Sequence, residues 1–178
     1  MAAGKTQVFE TSAGRYVGDF GNCYLYARIE LTETFDEELN KSDVSWTLYM
    51  KKYFDQGAGI GNVTGSITVN GQTINVDSYM TIENTWTYIT SDSISNIQHN
   101  EDGTKTIYIT ISSLTTDSYA KGYGVFVNLI DQPWNLTDIQ RGSKVRIGNK
   151  WYYVLIGNGT EFKKQKAHIG TGSTWKNY

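Results

Sequence analysis

Apolar and polar residues alternate along much of residues 1–130, and this period of two is typical of β-strands with one buried side. Residues 23–31 are the clearest example. Their apolar side carries Cys23, Leu25, Ala27, Ile29 and Leu31, and their other side carries Tyr24, Tyr26 and Arg28. Residues 44–50 repeat the pattern with an apolar set of Val44, Trp46, Leu48 and Met50. Two long amphipathic strands are therefore predicted.

Turn residues separate further segments of this kind. Asn70-Gly71 stands between alternating residues 63–69 and 74–76, which is a strong hairpin signal. A second reverse turn is expected at Asn100-Glu101-Asp102-Gly103, and more strands at residues 79–82, 85–90, 106–114 and 123–130. The helical candidate, residues 35–39, is no longer than a turn. About eight short strands without a helical period predict an all-β fold, an antiparallel β-sandwich or jelly roll.

The end of the chain has a different character. Three imperfect copies of one phrase, a β-branched residue, a glycine turn and a closing aromatic, occupy residues 145–151, 155–162 and 168–175. From residue 141 on there are eight Lys or Arg and one acid, whereas residues 1–140 hold eight and seventeen. Pro133 and the charge reversal predict a boundary near residues 135–141. We expect a β-sandwich domain at residues 1–138 and a small basic C-terminal β-turn repeat segment at residues 139–178.

Composition narrows the setting of the protein. A single cysteine, Cys23, excludes an intrachain disulfide framework, and its place on the apolar side of a strand predicts a buried structural thiol. The first residues lack the apolar core of a secretory signal. No apolar run approaches the roughly 18 residues of a membrane span. We expect synthesis in a reducing cytoplasm and no membrane insertion.

Catalytic chemistry has little support in the sequence. His99 and His168 stand outside any recognisable nucleophile context. The adjacent acids of residues 36–38 are more typical of a solvated loop than of a glycosidase pair. Glu83 and Asp117 could meet across a sheet, but their spacing does not decide it. We expect no enzymatic activity and identify no catalytic residues.

Two segments suggest a metal or phosphate site only weakly. Residues 99–104 place several oxygens on a turn, but they lack the ligand spacing of a helical calcium loop. The glycine-rich residues 56–61 lack the Lys-Ser/Thr pair of a phosphate-binding loop. A metal-free hairpin turn and a flexible loop are the favoured interpretations, and no metal or cofactor is implied.

Aromatic residues are abundant, with thirteen Tyr, five Trp and six Phe. Flat rings can cover the C–H faces of sugars at little entropic cost, which makes exposed Tyr and Trp suitable for glycan surfaces. Trp46 and Trp86 could equally belong to the core. The carbohydrate-contact candidates are Tyr24, Tyr26, Trp86, Tyr88, Tyr119 and Tyr123.

The basic C-terminal segment suggests a charged partner. Its cations are dispersed among glycines and aromatics rather than clustered on a helix or arm, so nucleic acid is not expected. The acidic surface of a neighbouring subunit, or of this chain, would satisfy the same charge, as would a phosphate-bearing polymer. The partner-docking candidates are Arg146, Trp151, Phe162, Lys163, Lys164 and Trp175.

Three phrases resemble one protein family. Residues 40–48 (Asn-Lys-Ser-Asp-Val-Ser-Trp-Thr-Leu), 65–71 (Gly-Ser-Ile-Thr-Val-Asn-Gly) and 99–105 (His-Asn-Glu-Asp-Gly-Thr-Lys) occur in the order seen in minor structural proteins of siphophage tail tips. The phages concerned infect Gram-positive bacteria. The C-terminal copies, with Trp151 and Trp175-Lys176, resemble repeats that end many phage tail and baseplate proteins.

This resemblance implies a virion component, made in the host cytoplasm and placed in the tail. Its partners would be other tail proteins, further copies of itself as a homo-oligomer, and cell-wall polysaccharide of a Gram-positive host. The family supplies no catalytic residues. Two alternatives remain open: a carbohydrate-binding module whose main role is glycan recognition, and a glycan hydrolase with two carboxylates in a groove.

Overall fold

A computed structural model describes residues 1–16, 21–54, 59–117, 120 and 124–139, and short strands between residues 144 and 177. Within these ranges all regular secondary structure is β-strand, so the predicted all-β class is confirmed. The expected helical candidate is a turn at residues 37–40, where the amides of Glu38 and Leu39 donate to the Asp36 carboxylate.

Eight strands form two antiparallel sheets that pack against each other as a β-sandwich. The first sheet has the order β1-β2-β3-β6, with β1 at Ala2–Tyr16, β2 at Asn22–Asp36, β3 at Lys41–Phe54 and β6 at Thr87–Gln98. The second has the order β5-β4-β7-β8, with β4 at Gly59–Val69, β5 at Gln72–Ile82, β7 at Thr106–Thr116 and β8 at Val127–Asn135. Each sheet therefore keeps one side for the core and one for solvent.

The core lies between the sheets and follows the period of two. Every second residue of β2 from Cys23 to Leu31 is at most 1% exposed, and Ile107, Ile109 and Ile111 of β7 are fully buried. Cys23 is thus the buried thiol that the sequence predicts, and burial raises its pKa against the opposing charge of Lys52. Burying one Leu or Ile side chain contributes roughly 1.5–3 kcal/mol, so this layer accounts for much of the stability.

Lys52 is the unexpected member of this inner layer. The period of two that buries Leu48 and Met50 continues along β3 and leaves Lys52 only 2% exposed. Burial lowers the pKa of its ammonium group, and the nearby Cys23 opposes that shift. The charged form of Lys52 is therefore less favourable here than in water.

The turns explain where the predicted strands end. Asn70 and Gly71 both have positive φ, 47° and 79°, and they join β4 to β5 as the hairpin signal predicts. Pro133, predicted to mark a boundary, lies inside β8, because an edge strand leaves one row of amides outside the ladder and tolerates proline there. β8 spans Val127–Asn135, so it begins and ends later than the strand predicted at residues 123–130.

The three C-terminal phrases each form a two-stranded antiparallel hairpin. The pairs are β9 (Lys144–Ile147) with β10 (Lys150–Tyr153), β11 (Leu155–Gly157) with β12 (Phe162–Lys164), and β13 (His168–Thr171) with β14 (Thr174–Asn177). The residues between the strands of each hairpin lie outside the described residues. The repeat is thus a hairpin repeat, and the division at residue 138 stays a prediction.

Candidate functional site

The solvent side of the first sheet carries a continuous group of aromatic and basic side chains. The period of two that buries one side of β2 and β3 turns the other residues outward. They are joined by Trp86, which directly precedes β6, and by Tyr88 of β6. We call this surface the aromatic face; it consists of Tyr24, Tyr26, Arg28, Tyr49, Lys51, Tyr53, Trp86 and Tyr88. Tyr24, Tyr53 and Tyr88 are 37%, 43% and 54% exposed.

Strand register brings the tyrosines of the aromatic face into contact. Tyr24 lies opposite Tyr53, and their ring centroids are 6.4 Å apart. The Tyr24 ring is also 6.5 Å from that of Tyr26. At the other end Tyr49 meets Tyr88 edge to face at 6.4 Å. Such pairs stabilise one another beyond their buried area, so the rings are held before any ligand arrives.

Two cations connect these groups through Trp86. The guanidinium of Arg28 lies 4.6 Å from the Trp86 ring centroid and 5.1 Å from that of Tyr49. The ammonium of Lys51 lies 4.8 Å from both the Trp86 and the Tyr26 rings. Cation–π contacts therefore complete an unbroken chain of side chains from Tyr53 to Tyr88.

Neighbouring residues fix this arrangement. Arg28 pairs with Glu30 at 3.1 Å and approaches Glu10 of β1 at 4.0 Å, which orients its guanidinium. Gly14 of β1 lies opposite Tyr24, and a Cβ atom there would overlap the tyrosine ring. A glycine at this position leaves room for the Tyr24 ring beside β1.

Four of the six predicted carbohydrate-contact residues meet here: Tyr24, Tyr26, Trp86 and Tyr88. Tyr119 and Tyr123 lie outside the described residues. Trp46 is 3% exposed and belongs to the core, whereas Trp86 does not. Tyr49, Lys51 and Tyr53 also belong to the aromatic face but are not among the sequence candidates, although the alternation of β3 turns all three away from its buried residues.

The predicted docking residues lie on the C-terminal hairpins. Arg146 of β9 is the register partner of Trp151 of β10. Phe162, Lys163 and Lys164 make up β12, and Trp175 lies on β14. The structure describes the strands of these residues and not their side chains, so their role in docking stays a prediction.

A second notable site is a buried polar cluster at the end of the sandwich, formed by Lys5, Glu33, Ser42, His99 and Thr137. Glu33 is fully buried. Its carboxylate accepts from the Ser42 hydroxyl at 2.6 Å and from the Lys5 amide at 3.2 Å. The amide and hydroxyl of Thr137 donate to it at 2.9 and 2.6 Å. Burial alone would raise the pKa of Glu33, but these hydrogen bonds together hold it below its usual value.

His99 continues the polar cluster. Its Nε2 lies 2.8 Å from the Ser42 hydroxyl, and its Nδ1 lies 2.8 Å from the Gly103 carbonyl. Ser42 donates its proton to Glu33, so its oxygen can only accept from His99, and the Gly103 carbonyl can only accept as well. Both His99 contacts are therefore hydrogen bonds at the same time only if both nitrogens of the His99 ring carry protons. Ser42 and His99 are 1% and 4% exposed. This buried Ser-His contact links β3 to the turn that follows β6.

Hydrogen bonds within the protein engage two of the other polar candidates, Asp102 and Asp117. In the turn at residues 99–104, Asp102 accepts from the amide and hydroxyl of Thr104 at 2.9 and 2.7 Å. Asp117 accepts from the Asn62 amide at 2.6 Å. Within the described part of the chain, no group of three His, Cys, Asp or Glu could hold a metal ion. These carboxylates stabilise turns and strand ends.

Comparison with known proteins adds no relative: no protein family, no curated protein and no solved structure matches this chain. In the ranges that the structure describes, no helix is long and apolar enough to cross a membrane. The site must therefore be interpreted from its own geometry.

Proposed function

We propose that this chain is a structural component of a phage tail tip or baseplate whose aromatic face contacts host cell-wall carbohydrate. The observation that carries the carbohydrate part is the continuous chain of rings and cations from Tyr53 to Tyr88. A soluble protein gains little from exposing large rings side by side, so such a group is typical of a binding surface.

The chemistry of the aromatic face suits a sugar chain. Rings on three neighbouring strands form an extended surface rather than a deep pocket, which matches the shape of a polysaccharide. Their contacts with one another and with Arg28 and Lys51 restrict the side chains in advance. Less conformational entropy is then lost on binding, and polar edges remain for sugar hydroxyls.

The virion part of the proposal rests on the resemblance to tail-tip proteins and on the hairpin repeat. A tail carries several copies of its components, so weak individual contacts combine into durable attachment. A β-sandwich followed by small basic hairpins gives each copy a candidate glycan surface and candidate docking strands for a neighbouring subunit.

Immunogold electron microscopy tests the virion assignment. Antibodies raised against the purified chain should label the tail tip of particles that encode it, and pre-adsorbing the antibodies with the purified chain should remove the label. Label that is absent from intact and mildly disrupted particles alike would contradict a structural role in the tail.

A carbohydrate-binding module that works outside the virion is the second candidate, favoured by the same aromatic face. It predicts glycan binding by the purified chain together with unlabelled particles. The two measurements therefore separate the candidates, since only the tail component gives both labelled particles and glycan binding.

A further inference from the structure

The solvent side of the second sheet contains an open groove of about 370 Å³ lined by Thr68, Gly71, Tyr108, Thr110 and Asp131. Its volume falls within the range of small-molecule sites. The groove lies on the opposite side of the sandwich from the aromatic face, because the two sheets turn their outer sides in opposite directions.

A polar row crosses four strands along the groove. The Thr73 hydroxyl of β5 is 2.8 Å from that of Thr68 on β4, and Thr68 is the register partner of Thr110 on β7. The Thr110 hydroxyl donates to the Asp131 carboxylate of β8 at 3.0 Å. Tyr108 lies two residues from Thr110 on the same side of β7, and its side chain is 54% exposed.

A bulge in β8 places Asp131 in this row. Ile111 pairs with Leu129 and Ile109 pairs with Gln132, so Ile130 and Asp131 together lie opposite Thr110. Both therefore face solvent, and Asp131 takes a positive φ of 46°. Bulges re-aim side chains next to functional sites, and a non-glycine residue with positive φ carries a local conformational cost.

These groups define the chemistry of a ligand. A tyrosine ring offers a flat surface for a sugar. The Asp131 carboxylate accepts from Thr110 through one oxygen and keeps acceptor capacity for sugar hydroxyl groups. Asp131 is the charged residue among those lining the groove, so it repels phosphate-bearing or acidic polymers. A neutral pyranose fits all of these features.

We propose that the groove at Tyr108 and Asp131 is a second carbohydrate-binding site, specific for a neutral pyranose and independent of the aromatic face. One chain would then bind two glycan strands on opposite sides of the sandwich. Two weak sites on one particle component increase avidity without increasing either affinity.

NMR titration of the full ¹⁵N-labelled chain tests this site. The probes are chitohexaose and the neutral oligosaccharides of Gram-positive cell walls, with poly(glycerol phosphate) as the anionic comparison. At least one neutral probe should shift the amides around Tyr108 and Asp131 with a Kd of about 1 mM. Poly(glycerol phosphate) should not.

Two variants and one matched control complete the experiment. Tyr108→Ala should weaken binding at the groove by about tenfold. Asp131→Asn should also weaken it, while asparagine still tolerates the positive φ. Tyr88→Ala removes an equally exposed tyrosine from the aromatic face and should leave the groove unaffected.

The outcomes separate this site from the proposed function. Shifts confined to the aromatic face would overturn the second site and leave the proposed function standing. Shifts confined to the groove would support the second site and count against the proposed function of the aromatic face. Neutral probes that leave the groove unperturbed, or a Tyr108→Ala chain that binds there like the wild type, would also overturn the second site.

Discussion

Replacing Glu33 with alanine should reduce the free energy of unfolding by about 3 kcal/mol or more, because a buried donor that loses its acceptor costs roughly 1–3 kcal/mol and Glu33 accepts from three residues. The change leaves the donors of Lys5, Ser42 and Thr137 without their acceptor, and the Ser42 hydroxyl among them is buried. Urea unfolding followed by tryptophan fluorescence measures the loss. Glu30→Ala is the matched control, because Glu30 lies on the outer side of β2 with a 41% exposed side chain and should cost less than about 1 kcal/mol.

The ionisation of Glu33 should make the free energy of unfolding depend on pH. The hydrogen bonds that lower the pKa of Glu33 favour its charged form in the folded state. Its contribution is therefore complete above the pKa of an unfolded glutamate, about 4.3, and is lost as the pH falls through the lower folded value. Glu33→Gln should be less stable at neutral pH but lose less stability on acidification. A variant with the wild-type acid profile would contradict this role for Glu33.

Replacing Gly103 with alanine is the second severe change, with an expected cost of about 3 kcal/mol or more. Gly103 has a positive φ of 87°, and an added Cβ would overlap the Ile139 carbonyl. The Gly103 carbonyl accepts from the Ile139 amide at 3.0 Å and contacts His99, so a shift of residue 103 also disturbs the polar cluster.

Gly71→Ala is a matched control for this prediction. Gly71 has a similar φ of 79°, but nothing lies within 4 Å of the position that its Cβ would occupy. It should show only the conformational cost of alanine, about 1 kcal/mol. Thermal unfolding of both variants measures the difference. Equal losses of stability would show that contact with the Ile139 carbonyl contributes nothing.

The sequence predicts the central strands well and the edges poorly. β2, β3 and β7 are buried on one side by a strict alternation, so pattern alone identifies them. β1 is not among the predicted strands, because it pairs only with β2 and its small and polar residues are exposed or half-buried. The same alternation places Glu33 of β2 and Lys52 of β3 on the core side of the first sheet, and both are buried.

The partners of those residues could not be predicted, because they are distant in sequence. Glu33 and Thr137 are separated by 104 residues, and no local pattern records such a contact. The aromatic face was partly predictable for the opposite reason. Its tyrosines lie on strands whose alternation is clear, so a count of outward aromatics along β2 and β3 would have found Tyr49 and Tyr53.

Binding of the purified chain to purified Gram-positive cell walls tests the central claim most directly. Co-sedimentation isotherms should show saturable binding by the wild type. The triple variant Tyr24→Ala, Tyr53→Ala and Tyr88→Ala should bind at least about tenfold more weakly, since each ring contributes on the order of 1 kcal/mol. Tyr79→Ala, a 75% exposed tyrosine of β5, should bind like the wild type. Isotherms that coincide for the wild type and the triple variant, or the absence of binding by both, would contradict a glycan-binding aromatic face.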